Sequence, residues 1–577
     1  MSEAVRVAAT PNRETARARG AAGDLRPIVL LVAIVLATLL VWVQGAQWGH
    51  PYAFHSDEIR YLSRVVEHPS VPIWTVYGRW PIYFQRVAAW LTGRPASDLV
   101  LARVLSALVS AAALMAVARA AALLNGWRSA FVALSLIAGA PVVVQSAHFF
   151  ITDVWLYAFV ASALLFCFRV VERGGWVDSV AIGLCWGIAA GSKLSGVFLL
   201  PAVVLAHILR RQPHRARRLA AVCAIAAGVT LVGQPTLWLH GLPAYLQQGE
   251  LLVHLEVAAG TYLPAYTLQF ANTSAWTYYW SPLLLWGAAP LLLAAGSVGG
   301  MVALWHVARH FRGAGGDRAP DRLLIALVVF ATFYLMSAGQ YSKYVRYVLP
   351  LLPPLAVLGG WGLSTFARRF NPRAQVAALG MIAAVGYLPG LAVAQMYTRP
   401  DTRLQAADWV GDHIPGRSVI CHEPDVGYAV PPIGLGGPAY GATATRDYTG
   451  ILLDWGLLYN ASDYLRQHQA APISESPDLQ ALRTQAQQRA QIESWLAQCD
   501  WIILSDRFAD QYLPLPEDFQ AISSLYDDLL SHRRADFVQA AEFRSLPGLW
   551  GVSVDDRSSE LTFRSFDHPT IWIFRRK

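Results

Sequence analysis

Charge is what this chain has least of. Asp, Glu, Lys and Arg make up 15% of its 577 residues, against 55% hydrophobic ones, and the mean hydropathy is +0.36. A soluble globular protein carries more charge, so the composition excludes that class and points to an integral membrane protein. Cysteine is scarce too. Five residues support no disulfide framework. Cys167, Cys185 and Cys223 fall in apolar runs; Cys421 and Cys499 could pair, but neither neighbourhood reads as a stapled loop. No internal repeat occurs at a solenoid period. No convincing small-residue cleavage site follows the first apolar run, which therefore reads as an uncleaved anchor. The net charge of +8 does not call for nucleic acid, because the arginines lie between apolar segments, where they orient membrane proteins.

What the chain has instead is long apolar runs. Spans need roughly 17–25 mostly apolar residues, and candidates fall at 27–44, 100–123, 130–147, 154–168, 179–192, 194–209, 219–237, 282–305, 323–339, 348–366 and 375–395. The expected fold is a polytopic α-helical membrane protein of about eleven transmembrane helices over 27–395. A polar tail over 1–26 is expected to be disordered and cytoplasmic. Arginine clusters in that tail, in "RRQPHRARR", in "ARHFRGAGGDRAPDR" and in "ARRFNPR" belong on the cytoplasmic side. The alternation closes only if the chain passes twice around "GSKLSG", with Lys193 at the outer surface. Residues 396–577 have ordinary polarity, with strand-like runs at 417–423, 500–506 and 570–577 and helical patterns at 402–413 and 476–498. They predict an extracytoplasmic α/β domain. Gly183, Gly187 and Gly191 predict close helix packing.

This topology gathers several chemically active residues on the outer face. Asp57 and Glu58 open an amphipathic helix in "FHSDEIRYLSRVV". Ser56 before them is a good cap, and acids in a first turn complement the helix dipole. The apolar stripe Ile59, Leu62, Val65, Val66 would let that helix lie on the membrane surface. Two adjacent acids also suit a general base or a divalent cation ligand. Asp153 ends "HFFITD", where a Thr-Asp pair commonly caps a helix. Lys193, between two apolar half-spans, is expensive unless it snorkels or meets an anion. Lys343 and Arg346 in "YSKYVRYVLPLLPP" repeat that theme. His148 and His254 are further outer-face residues that suit buried or interfacial roles, and the aromatics Trp276, Tyr278, Tyr279 and Trp280 suit an interface belt.

Four of these stretches, "FHSDEIRY", "QSAHFFITD", "GIAAGSKLSGVFLLP" and "SKYVRYVLPLLPPLAVL", resemble in order and spacing the GT-C membrane glycosyltransferases of family 39. That group includes protein O-mannosyltransferases and aminoarabinose transferases. The resemblance runs over about 27–395, and more loosely into the C-terminal region. It implies a hexosyl- or pentosyltransferase using a polyprenyl-phosphate-linked sugar donor and a hydroxyl acceptor (lipid, glycan or protein) in a bacterial inner or plasma membrane. Asp57 would be the base, Glu58 its support and Asp153 the second acid. Lys193, Lys343 and Arg346 would lie near the donor phosphate, with His55, His148, His254 and Tyr344 as further substrate contacts. A divalent cation, if one is used, would fall to Asp57 and Asp153, though no ligand spacing demands it. The competing expectations are a transporter or flippase with an exported binding domain, and a scaffold subunit with an inert pocket.

Overall fold

The computed structural model describes residues 26–66, 77–210, 214–239, 250–313, 318–424, 430–435, 447–460 and 484–577. The N-terminal tail before Arg26, part of the "RRQPHRARR" segment and residues 476–483 of the expected helix lie outside them. Among the described residues, eight helices are long and apolar enough to cross a membrane. They pack into one apolar core that runs through most of the chain up to Tyr397.

Span boundaries differ from the expectation where the helical backbone breaks. Leu99–Ala138 is one run, interrupted where Asn125 and Gly126 leave helical geometry, Gly126 at φ 70°. The expected segment 130–147 ends early, at Ala138, and Pro141–Ala147 is a separate short helix. The expected start at 282 gives way to Pro290–Phe311, because Ala289 sits at φ 68° and Pro290 opens the helix with a ring already set for a first turn.

Around "GSKLSG" the chain does turn back. Trp176–Ser192 stops at Lys193, which is extended (φ −146°, ψ 129°). The next segment folds over its predecessor: Trp186 Nε1 donates to Gly196 O (3.1 Å), and a Cβ at Gly196 would lie 2.4 Å from Ala190 N. The expected glycine stripe packs against helix Arg215–Gly233, since a Cβ on Gly187 would lie 2.5 Å from Val229 Cβ.

After Gln395–Thr398 the chain becomes a sheet domain. Its strands are β1 (Val419–His422), β2 (Thr449–Leu452), β3 (Trp501–Ser505), β4 (Phe537–Phe543), β5 (Gly548–Leu549), β6 (Val552–Ser553) and β7 (Ile571–Arg576). The main sheet runs β2-β1-β3-β7-β4. β1 lies parallel to β2 and β3, whereas β7 lies antiparallel to β3 and β4. The uninterrupted apolar run of β3 is buried throughout, as a central strand covered on both faces should be. Helix Gln485–Leu496 opens on a capping box from Thr484 and Gln487. Cys421 and Cys499 form a disulfide (Cα–Cα 5.6 Å). The loops gave no sign of it, because the bridge joins the end of β1 to the turn before β3 inside the domain core.

The two halves are closely joined. Residues 559–570, between the β5–β6 hairpin and β7, are buried along their whole length. Gln145 Nε2 donates to Phe563 O (2.7 Å) and Asp567 Oδ2 (2.9 Å). Tyr397 OH donates to the same carboxylate (2.7 Å), and Glu560 Oε2 accepts the Val345 N–H (3.1 Å).

Candidate active site

Helix Ser56–Val66 follows the first span and buries its acids instead of its apolar stripe. Asp57, Glu58 and Tyr61 are buried, while Ile59 and Leu62 are only half-buried. The Val65 and Val66 side chains lie outside the described residues. A surface-lying amphipathic helix is therefore not what forms. The helix start is fixed by His55, whose Nδ1 accepts the Asp57 N–H (3.1 Å). Its ring packs between Phe149 (5.0 Å) and Phe566 (4.0 Å). Burial lowers the His55 pKa to about 3, which keeps the ring neutral and able to accept.

The adjacent acids point to different places. Glu58 is held by Arg103 through Nε (2.9 Å) and Nη2 (2.8 Å) and accepts the Phe150 N–H (3.1 Å). Both carboxylate oxygens are thus occupied by structural bonds. Asp57 instead faces a cavity of about 720 Å³. Its Oδ2 is buried with no hydrogen-bond partner, and Arg346 Nη2 stands 3.8 Å away.

Asp153, in the first turn of helix Thr152–Arg173, is no cap. Its Oδ1 accepts from Lys193 Nζ (2.7 Å), and its Oδ2 lies 4.0 Å from Arg346 Nε. Arg346 thereby faces both acids. Lys193 reaches this point because the chain breaks there. Its extended backbone bridges Tyr77, and its ammonium lies 4.6 Å from the Tyr347 ring centre. The approach needs Gly78, where a Cβ would fall 1.6 Å from Gly191 O. Burial pushes the Asp57 carboxyl up, but Arg346, then other neighbouring positive groups, outweigh it and hold the carboxyl below its ordinary value.

The cavity also exposes His254, Tyr344, Ser342 and Arg60. Part of the lining is apolar, with Val197, Phe198, Val253 and Leu255, all of them exposed. The C-terminal domain contributes Arg507, Thr562 and Phe566 to the lining. Sequence reasoning missed these three, and nothing local marks them. It also missed Arg103, although a lone arginine inside the apolar run "LVLARVLSAL" is a legible signal for a buried acid partner.

Four of the expected site residues do not line this cavity. Lys343 Nζ donates to Tyr341 O (2.8 Å) and Thr273 Oγ1 (3.1 Å) among aromatic rings. Its burial lowers its pKa to about 8. His148 stacks on Tyr397 (3.7 Å) and Glu58 is locked to Arg103. His55 reaches the site only through the Asp57 backbone. As for a metal ion, no group of three or more His, Cys, Asp or Glu is placed to hold one among the described residues. The Arg346 guanidinium faces both Asp57 and Asp153.

Residues 80–238 match the family model described as dolichyl-phosphate-mannose-protein mannosyltransferase. The family resemblance read from the sequence holds over that stretch, which contains Asp153 and Lys193 but neither Asp57 nor Arg346. No curated protein matches the chain. Among solved structures, the chain is similar to ArnT from Cupriavidus metallidurans bound to undecaprenyl phosphate, at 15% identity and TM-score 0.49, covering 95% of this chain and 98% of that one. It is similar to the archaeal oligosaccharyltransferase AglB from Archaeoglobus fulgidus, in complex with an inhibitory peptide and a dolichol-phosphate, at 12% identity and TM-score 0.48, covering 95% and 88%. The arabinofuranosyltransferase AftD from Mycobacteria matches at 14% identity and TM-score 0.43, covering 95% of this chain and 40% of that one.

Proposed function

We propose that the chain is a glycosyltransferase that moves a sugar from a polyprenyl-phosphate donor to a hydroxyl acceptor on the non-cytoplasmic face of the membrane. The observation that carries this reading is the cavity: two acids and two cations from four distant segments meet there in a partly apolar lining. A prenyl chain would lie along Val197, Phe198, Val253 and Leu255, with its phosphate near Lys193 and Arg346. The family description over residues 80–238, which names a dolichyl-phosphate-linked sugar, supports a donor of this class. The Cys421–Cys499 disulfide supports an exported C-terminal domain, since such bonds persist outside the cytosol.

The proposed step breaks the bond between the anomeric carbon and the phosphate oxygen. It forms one between that carbon and the acceptor oxygen, with inversion. The acceptor proton goes to Asp57, and the negative charge gained by the leaving phosphate is met by Lys193 and Arg346. These cations hold the acids before the donor arrives. A phosphate drawing Arg346 away from Asp57 would raise the basicity of that carboxylate when it is needed. Asp57 and Asp153 in this account work with basic side chains, and no step runs through a metal ion.

The test is to incubate membranes containing the full chain with labelled polyprenyl-phosphate sugars and follow the label. Transfer to an acceptor by the wild type, with transfer reduced about 10²–10⁴-fold in Asp57→Asn, is the expected result. Near-normal transfer by purified Asp57→Asn removes the base assignment.

A further inference from the structure

The β5–β6 hairpin carries an exposed tryptophan where its backbone disfavours one. Trp550 and Gly551, the two central residues of its turn, have φ 51° and 83°. Positive φ at both positions is the geometry of a tight two-residue hairpin, which favours Asn or Gly. A bulky residue there is costly, and one that persists invites a functional reason. Trp550 makes no use of the domain core: it is 82% exposed, and Val552 is 71% exposed. Val554, on the same hairpin arm, is also exposed.

The hairpin base sits on membrane helices. β5 packs against helix Pro372–Ala394 and the following turn Gln395–Thr398. Arg399, just past that span, donates from Nη1 to Leu546 O (3.4 Å). On the other side Trp286, shortly before span Pro290–Phe311, donates from Nε1 to Ser558 Oγ (3.2 Å). The base of the hairpin therefore lies at the level of two span ends, against helix Pro372–Ala394, whose Met381 and Val385 are exposed. Arg544 and Arg557, both paired to Asp555, flank it together with Arg399.

We propose that this hairpin is a membrane-dipping anchor, with Trp550, Val552 and Val554 seated in the interfacial layer of the bilayer and the arginines among lipid headgroup phosphates. An indole has an apolar body and one polar N–H, which suits that layer, and arginines at its edge add attraction to anionic lipid. The anchor holds the C-terminal domain against the membrane on the side from which residues 559–570 run back to the cavity. The inference concerns the lipid surface alone and does not depend on the reaction proposed above.

The test uses the full chain in vesicles of phosphatidylethanolamine and phosphatidylglycerol. Trp550→Cys and, for comparison, Arg533→Cys are each made in a Cys223→Ser background and labelled with an environment-sensitive fluorophore. Because Trp550 is exposed, its replacement leaves the fold intact. The expected result is severalfold stronger quenching of the position-550 label by lipid carrying a nitroxide high on its acyl chain than by aqueous iodide, with the reverse order at position 533. Iodide quenching at 550 equal to that at 533 overturns the proposal. So does shielding from both quenchers, which would mean that protein, such as a second copy, covers the hairpin.

Discussion

Replacing Glu58 by Gln should act on folding, because both of its oxygens are bound to Arg103 in a fully buried pair. Breaking one side of such a pair costs about 3–5 kcal/mol, so purified Glu58→Gln should melt at a clearly lower temperature than the wild type. Asp57→Asn should lose less stability than Glu58→Gln and fail in transfer, since its Oδ2 makes no hydrogen bond and its ion pair with Arg346 is longer, at 3.8 Å. The same contrast separates the lysines. Lys193→Ala should lose donor binding, measured with undecaprenyl phosphate, whereas Lys343→Ala should keep it, because Lys343 faces Tyr341 and Thr273 outside the cavity. For pH, the Asp57 carboxyl is held below its ordinary value with Arg346 as the main opposing charge. The acid limb of the rate profile in the free enzyme should therefore fall below the usual carboxylate range, with activity lost as pH drops through it.

Among elements, the buried segment 559–570 decides how firmly the C-terminal domain seats. His568 donates between Asp567 (2.5 Å) and Asp556 (2.5 Å), and Asp567 also binds Gln145 and Tyr397 of the membrane half. Burial alone would lower the histidine pKa, but the two carboxylates raise it from 6.5 to about 10. A raised pKa gives stability that is complete below the unfolded value and lost as pH rises through the folded one. Thermal stability should accordingly decline between pH 6.5 and about 10, and His568→Gln should flatten that decline. This element was not legible in the sequence. Its acids and histidine look like ordinary polar loop residues, and only the return of the chain to pair β7 between β3 and β4 presses them against Gln145 and Tyr397. The helices and the three predicted strands were legible because each needs only its own apolar pattern. β2 and β4 escape the sequence reading: β2 is four residues long and largely exposed, and β4, at a sheet edge, mixes alanine with Gln539 and Glu542.

At the scale of the whole molecule, the convergence of Asp57, Asp153, Lys193 and Arg346 was read from one-sided placement of charge at helix ends. That reasoning can say which residues share a face but not which way each side chain turns, so it groups His55, Glu58, His148 and Lys343 with residues they do not join. The part of the lining from Arg507, Thr562 and Phe566 depends on docking between halves hundreds of residues apart and has no local signature. In the proposed reaction a lipid-linked phosphate enters this cavity along its apolar lining. The most direct measurement is photocrosslinking of the full chain in membranes with a polyprenyl phosphate carrying a diazirine near its phosphate end, followed by peptide mapping. Label concentrated at 193–198 and 251–258, and lost in Lys193→Ala, is the predicted result. Label confined to other lipid-facing helices and indifferent to Lys193 would contradict it.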